Sequence, residues 1–440
     1  MIKVAIVGAG IAGLSAAYHL RKHGVQDIQI LEASSTIGGR IQSFREIFTQ
    51  DIIDNGKHLI SGAYTNFFEL LDFFETKEKL FSPRNLKIPL ISKENHYHFE
   101  LGNPKKLKQL QSMFQIGNQN FIDKYNLIKF LFSIKFPKGI LHNLFNSIPN
   151  KFENFTVEQL LILSRQNKEL VEYFWEPLTL ATLNAPTNKA PASMLLTVLK
   201  KAFFADPNSQ KLCFSKVPLS ELIKSEEKLS FLAEIKTDTK VEKIKPAEHG
   251  FNILTTRGIT LCDAVIITCS PIFLKTLIDN SKTIELFGNE FYSTISSYKY
   301  STIMSIYFWT EQEFMEEQFA AMIGTKFHWI FRETTNRYTL LMSAANDFAE
   351  LPKQFLYNLA FAEVEMIFPK FDRTKVTHKL LIKDKYATVE FTPETKRFSQ
   401  RILRGIYIAG DWTDTGLPAT IESAAGSGKL AAMELIKDYF

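Results

Sequence analysis

Apolar residues along this chain of 440 residues follow two alternating patterns. VAIVGAG (4–10) is a continuous apolar run of strand length, and LSAAYHLRKHG (14–24) behind it has a helical rhythm. IQILEA (28–33) is a second apolar run, so the N-terminus predicts strand, helix, strand. Far along the chain, TDTKVEKIKPAE (237–248) and FNILTTRG (251–258) alternate apolar and polar residues around His249-Gly250, which predicts a hairpin. AVIITCSP (264–271) is wholly apolar and stopped by proline, as in a buried parallel strand. GIYIAG (405–410) is a short strand, followed across a loop by a helix rich in small residues. These pieces, 1–75, 210–290 and 400–440, form one expected unit. The intervening stretches 76–209 and 291–399 form a second, inserted unit. Its first part reads as helical, with Thr156-x-x-Gln159 a capping box that opens EQLLILSRQNKELVEYFW (158–175). Its second part holds a strand pattern, YSTIMSIYFW (300–309), and a helical one, PKQFLYNLAFAEVEMIF (352–368).

The break after the first apolar run carries chemistry. Gly8-x-Gly10-x-x-Gly13 lets the chain turn tightly and brings the backbone of Ile11 and Ala12 to a helix N-terminus facing a pyrophosphate. Glu32, nineteen residues beyond Gly13, ends the second run where a ribose would be bound. Strand, glycine turn, helix and acidic residue together predict a dinucleotide site. Gly38-Gly39-Arg40 adds a second close backbone approach and a guanidinium fork suited to phosphate oxygens. At the other end, Gly410-Asp411 closes a strand where the carboxylate can meet a ribitol hydroxyl. A helix starting near Thr420-Ile421 would aim its positive end at an isoalloxazine. Plain nicotinamide dehydrogenases do not need these additions, so the predicted cofactor is FAD. The predicted fold class is α/β: a discontinuous Rossmann-like FAD domain with an inserted α+β substrate domain. Asn55 and Gly56, in the turn after DIID (51–54), and Val241, at the foot of the hairpin, complete the expected cofactor contacts.

Two look-alikes carry no function. Gly426-Ser-Gly428-Lys429 lacks the first glycine and the magnesium-binding hydroxyl of a phosphate loop. His19 and His23 have the spacing of a zinc pair but Leu20 replaces the required glutamate, and both read as surface residues. No metal is expected. Cys213, Cys262 and Cys269 lie far apart, which suits a reducing, cytoplasmic setting.

Charge is uneven although the net value is only +5. Lysines 105, 106, 108, 124, 129, 135, 138 and 151 share the segment 105–151 with one acid, Asp123. In NLIKFLFSIKFPKGILHNLF (126–145) they are interleaved with Phe, Leu and Ile. That setting favours lipid over nucleic acid and predicts peripheral contact with the inner face of a membrane. A core helix with a solvated charged face gives the same pattern. The chain's 38 phenylalanines agree with a large apolar cavity.

Three blocks, IDNGKHLISGAY (53–64), WEPLTLATLNAPTNKAPASMLLTVLKKAF (175–203) and IAGDWTDTGLPATIESAAGSG (408–428), resemble the squalene-associated FAD-dependent desaturases, also understood as hydroxysqualene dehydroxylases, within the amine-oxidase-like superfamily. The resemblance implies reductive removal of the allylic hydroxyl of hydroxysqualene to give squalene. It also implies a lipid substrate and an external electron donor, because one dinucleotide fingerprint leaves no nicotinamide site. A carotenoid or phytoene-type desaturase, a flavin amine oxidase and a non-catalytic FAD-binding scaffold are the other readings. Candidate proton donors are His58, Glu176 and Asp414; each also has a purely structural role available. Amine oxidases of the superfamily carry a lysine near flavin N5 in the strand at 300–309, and Met304 is aligned with it here. No cysteine lies in the GDWTDTG block, so the resemblance implies non-covalent FAD.

Overall fold

The computed structural model describes residues 2–83, 86–101, 106–135 and 154–440. Its first sheet has six strands in the order Glu234–Lys236, Asp27–Leu31, Lys3–Val7, Ala264–Ile267, Ile406–Ile408 and Arg401–Leu403. The first five run parallel and the last is antiparallel to its neighbour. Lys3–Val7 and Ala264–Ile267 lie centrally with nearly every side chain buried, as their unbroken apolar sequences require. The helix Ile11–Lys22 packs on this sheet and against the C-terminal helix Ile421–Tyr439. That helix pair is close because a side chain at Gly428 would lie 2.2 Å from the carbonyl oxygen of Ala12. His19 sits in this packing at 2% exposure, 3.9 Å from the Glu69 carboxylate. It is therefore a core residue and not the surface residue its spacing suggested; His23 is exposed.

The hairpin forms as Val241–Pro246 with Phe251–Thr255, turning at Gly250, and Gly258–Cys262 extends it to three strands. A seven-stranded sheet holds Val376–Val389, Tyr300–Thr310, Arg337–Met342, Trp329–Arg332, Phe319–Met322, Leu86–Ile91 and His96–Leu101 in that order. The last two strands fall in the insertion that reads as helical. Their sequences, LKIPLI and HYHFEL, are too short and too mixed to reveal a period without their neighbours.

The long helix from the capping box forms only in part. Thr156 and Gln159 make both reciprocal bonds, but Val157–Leu163 ends at Ser164, with Arg165 at φ 53°. The chain restarts from Asn167, passes through a π-helical turn at Val171–Trp175 and continues as Glu176–Leu183. The helix Phe121–Lys135 buries Leu127, Phe130 and Ile134 and sets Phe130 edge-on to Trp175 at 5.5 Å. Phe121 and Ile122 in its first turn are 84% and 66% exposed. Lys105 and residues 136–151 of the basic segment lie outside the described residues. Among the described residues, no helix is long and apolar enough to cross a membrane.

Alternation gives the large sheet two different faces. Met304, Ile306 and Phe308 pack with Leu356, Phe361 and Val364 of the helix Lys353–Ile367. Tyr307 and Trp309 point the other way, onto Ile53. Ile303 and Ser305 share that second face by the two-residue period. Met304 therefore faces the helix core. Ile303, Ser305 and Tyr307 occupy the face turned toward Ile53 and Asp54.

Candidate active site

Glycines build the turn at the first strand. Gly8 has φ 106°, and a side chain there would strike the Thr268 hydroxyl at 2.7 Å; one at Gly13 would lie 2.1 Å from the Gly8 carbonyl oxygen. Both positions are closed by the protein itself. Gly10 differs, because an added Cβ meets no atom within 4 Å. It caps the helix Ile11–Lys22 without offering any side-chain bond. The open space at this N-terminus, beside Ile11 and Ala12, is the form a pyrophosphate requires.

Glu32 lies beyond the end of the neighbouring strand. Its carboxylate accepts hydrogen bonds from the Ala9 N–H at 2.7 Å and the Ser34 N–H at 2.8 Å. The Thr239 N–H donates to the Glu32 carbonyl at 2.7 Å, which brings the chain leading into Val241 to the same end of the sheet. Gly38 bridges to Gly10 across this turn.

Arg40 and Asp411 were expected to act on separate parts of the cofactor, and here they hold each other. Arg40 Nη1 and Nη2 bond the two Asp411 oxygens at 2.7 Å each, and Nη1 also reaches the Ala387 carbonyl at 2.7 Å. Asp411 is buried, whereas the Arg40 side chain is 47% exposed. The pair spends the carboxylate on the guanidinium, so the free part of the arginine is what can meet phosphate. Next to Gly410, whose N–H donates to the Ser427 hydroxyl at 2.7 Å, the helix Ile421–Tyr439 begins with Thr420 as its N-cap. Tyr64 lies by this N-terminus, and burial beside Glu422 pushes its phenol up to about 12. Glu422 itself turns aside: its carboxylate caps the helix Thr65–Phe74 through the Asn66 and Phe67 N–H groups, both at 3.0 Å.

The turn Asn55–His58 is fixed at three points. The Asn55 N–H donates to the Gln42 carbonyl at 2.9 Å. Asp54 accepts from the Ser43 hydroxyl and the Leu219 N–H, and its carbonyl accepts from the Tyr307 hydroxyl at 3.0 Å. Lys57 pairs with Glu333 at 2.8 Å, with both side chains largely buried. The turn therefore rests on the second face of the large sheet. Gly56 is open, with nothing within 4 Å of an added Cβ.

The three proton-donor candidates separate by environment. His58 is half-buried, has no hydrogen-bond partner among the described residues, and is lowered to about 4 by burial, with Arg40 and Lys57 adding to the effect. It is neutral at pH 7. Glu176 accepts from the Thr187 N–H at 3.0 Å, which ties the start of its helix to the next loop. Asp414 is 57% exposed and pairs with Arg397 at 3.3 Å. The roles visible for Glu176 and Asp414 are structural.

Sequence reasoning passed over Asp384. It pairs across strands with Ile303, its charge is felt by Arg40, and irregular pairing between Ser301 and Ile303 lets the strand bring the Ala387 carbonyl to Arg40. The signal was strand alternation in VTHKLLIKDKYATV, readable only once Ile303 is known to face the turn.

Residues 11–436 match the family described as flavin containing amine oxidoreductase. Hydroxysqualene dehydroxylase from Sinorhizobium fredii is 23% identical, with 98% of this chain and 97% of that protein aligned. The protein of the same name from Zymomonas mobilis is also 23% identical, over 97% of each. A 15-cis-phytoene desaturase from Arabidopsis thaliana is 20% identical over 100% of this chain and 80% of its own length. Among solved structures, an oxidoreductase from Methanosarcina mazei superposes with a TM-score of 0.74 at 14% identity, covering 99% of this chain and 100% of the other. Cyclohexylamine oxidase from Brevibacterium oxydans gives 0.70 at 13% identity, with 99% of each chain covered. These likenesses are of fold.

Proposed function

The chain belongs to the flavin-containing amine oxidoreductase family and is an FAD-dependent oxidoreductase, and within that family we propose that it removes the hydroxyl of hydroxysqualene reductively, giving squalene. The observation that carries this reading is the wall facing the Asn55–His58 turn. Cross-strand pairing sets Leu90, Ala321, Trp329, Leu341, Ser305 and Ile382 in one row. That row holds no charge, and no lysine lies on the cofactor-side face at 303, 305 or 307. Phe214 and Phe319, with ring centroids 5.4 Å apart, extend the apolar surface. Such a wall suits a long hydrocarbon.

Reduced FAD, when bound, supplies the hydride. The protein's part is to hold the carbinol carbon, keep water from the allylic centre and bring a proton to the departing oxygen. In the net step the C–O bond breaks, a C–H bond forms, oxygen leaves as water with one proton from the medium, and the flavin is oxidised. His58, neutral and without a hydrogen-bond partner among the described residues, takes the relay position in this reading: it accepts a proton at one ring nitrogen as it releases one from the other. The two electrons come from an external donor.

Dissolved substrate of this kind resides in lipid, and we place peripheral membrane contact at the exposed Phe121, Ile122 and Ile162, beside Lys124. Sedimentation with anionic vesicles tests it: Phe121→Ser with Ile122→Ser should release the protein to the supernatant, and unchanged binding would exclude this surface. The reaction itself is tested with holoenzyme and dithionite under nitrogen. Squalene accumulation from hydroxysqualene is expected; desaturated products from phytoene with oxidised enzyme would instead favour the desaturase reading.

A further inference from the structure

One enclosed polar atom on the apolar wall, the indole nitrogen of Trp329, has no partner, and a serine lies in the same row. Ser305 is 2% exposed and Trp329 is 8% exposed. The Trp329 indole N–H is enclosed without any acceptor. The Ser305 hydroxyl makes no hydrogen bond among the described residues, although serine hydroxyls elsewhere in this core do, as Ser301 shows by donating to the Asn184 carbonyl at 2.8 Å. An unpaired buried donor is costly, so the Trp329 indole beside an unengaged serine hydroxyl on one wall calls for an explanation.

Register places them together. Ser305 pairs with Leu341, and Leu341 pairs with Trp329. They therefore lie in one cross-strand row, about 10 Å apart at the backbone, on the same face. Their neighbours in the row, Ile382, Leu341 and Ala321, are aliphatic. Ser305 is also two residues from Ile303, which pairs with Asp384 near Arg40. The wall is thus greasy over its length, with hydrogen-bonding capacity on the two sides of Leu341. A pure hydrocarbon needs no such place, whereas a long hydrocarbon with a single hydroxyl needs one.

We infer that Ser305 and Trp329 form the subsite for the substrate's one oxygen: the indole N–H donates to it and the serine hydroxyl bonds it from the other side. The inference rests on the dehydroxylation reading and adds the residues that tell alcohol from hydrocarbon. It gives a reason for product release, because squalene leaves both groups unpaired again. Binding then favours the alcohol over a hydrocarbon of equal length.

The test is equilibrium binding to oxidised holoenzyme in detergent, read from the flavin visible band, with hydroxysqualene and squalene titrated in parallel. Wild type should bind the alcohol more tightly. Ser305→Ala and Trp329→Phe should each weaken hydroxysqualene about ten-fold while leaving squalene within about two-fold, at unchanged melting temperature. Equal losses for both ligands would mean that the residues only pack, and discrimination that survives both substitutions would likewise overturn the inference. If Trp329→Phe does not fold, Ser305→Ala decides alone. A wild type whose reduced flavin is not reoxidised by hydroxysqualene would instead count against the proposed reaction. A preference for the alcohol that Ser305→Ala and Trp329→Phe abolish would still uphold the subsite.

Discussion

Arg40 and Asp411, 371 residues apart, meet in a two-point ion pair with both bonds at 2.7 Å. It joins the chain's N-terminal turn to the loop before its last helix, and it stands where both ends would close on one cofactor. Geometry of this kind needs the planar fork of arginine. Arg40→Lys and Asp411→Asn should therefore each reduce FAD retention after gel filtration at least ten-fold. Full flavin content in either variant would mean that the pair is dispensable for binding.

Gly10 and Gly13 should respond differently to alanine. At Gly13 the new methyl would collide with the Gly8 carbonyl, so the strand–turn–helix unit is strained with or without cofactor. At Gly10 nothing in the protein objects, and only a ligand would. Gly10→Ala should keep the melting temperature of the apoprotein and lose FAD; Gly13→Ala should lower the apoprotein's melting temperature as well. Thermal scans of both apoproteins, with flavin content of the purified forms, check this.

Much of this site was legible in the sequence because it is local. Gly8 to Gly13, Glu32 and Gly38 to Arg40 lie in one strand–helix–strand unit whose spacing is set by the turn itself. Asp384, Ser305 and Trp329 were not legible: their importance depends on which face of a seven-stranded sheet they occupy, and one residue of register reverses it. Met304 shows this too, since only its register reveals that it packs against the helix Lys353–Ile367. His19 failed for a related reason. A histidine on a helix looks exposed until a second helix from the far end of the chain covers it. The pairing of Asp411 was not legible either, because its partner Arg40 comes from the opposite terminus.

Among the three acid candidates, only His58 should matter to the rate. Glu176→Gln keeps an acceptor for the Thr187 N–H, and Asp414→Asn disturbs an exposed pair. Both should retain single-turnover flavin oxidation within about two-fold. His58→Phe should slow it at least ten-fold with FAD still bound. Equal rates in all three would remove His58 from the proton path.

Acid should weaken the fold through its buried histidines. His19 is lowered from 6.5 to about 4, chiefly by burial, so the unfolded chain takes up a proton between those values that the native chain refuses. Stability is then complete above pH 6.5 and falls as the pH drops toward 4. The loss from His19 alone is about 3 kcal/mol at pH 4. Denaturant titrations at pH 7, 5.5 and 4.5 should show this decline, and His19→Gln should flatten it. A wild-type curve flat across that range would contradict the burial of His19.

The most direct measurement follows one turnover under anaerobic conditions. Photoreduced holoenzyme is mixed with hydroxysqualene in detergent, the visible flavin band is recorded, and the lipid is extracted. One flavin reoxidised for each squalene formed is the predicted result. A flavin that stays reduced while FAD remains bound, with no squalene recovered, would contradict the proposed dehydroxylation.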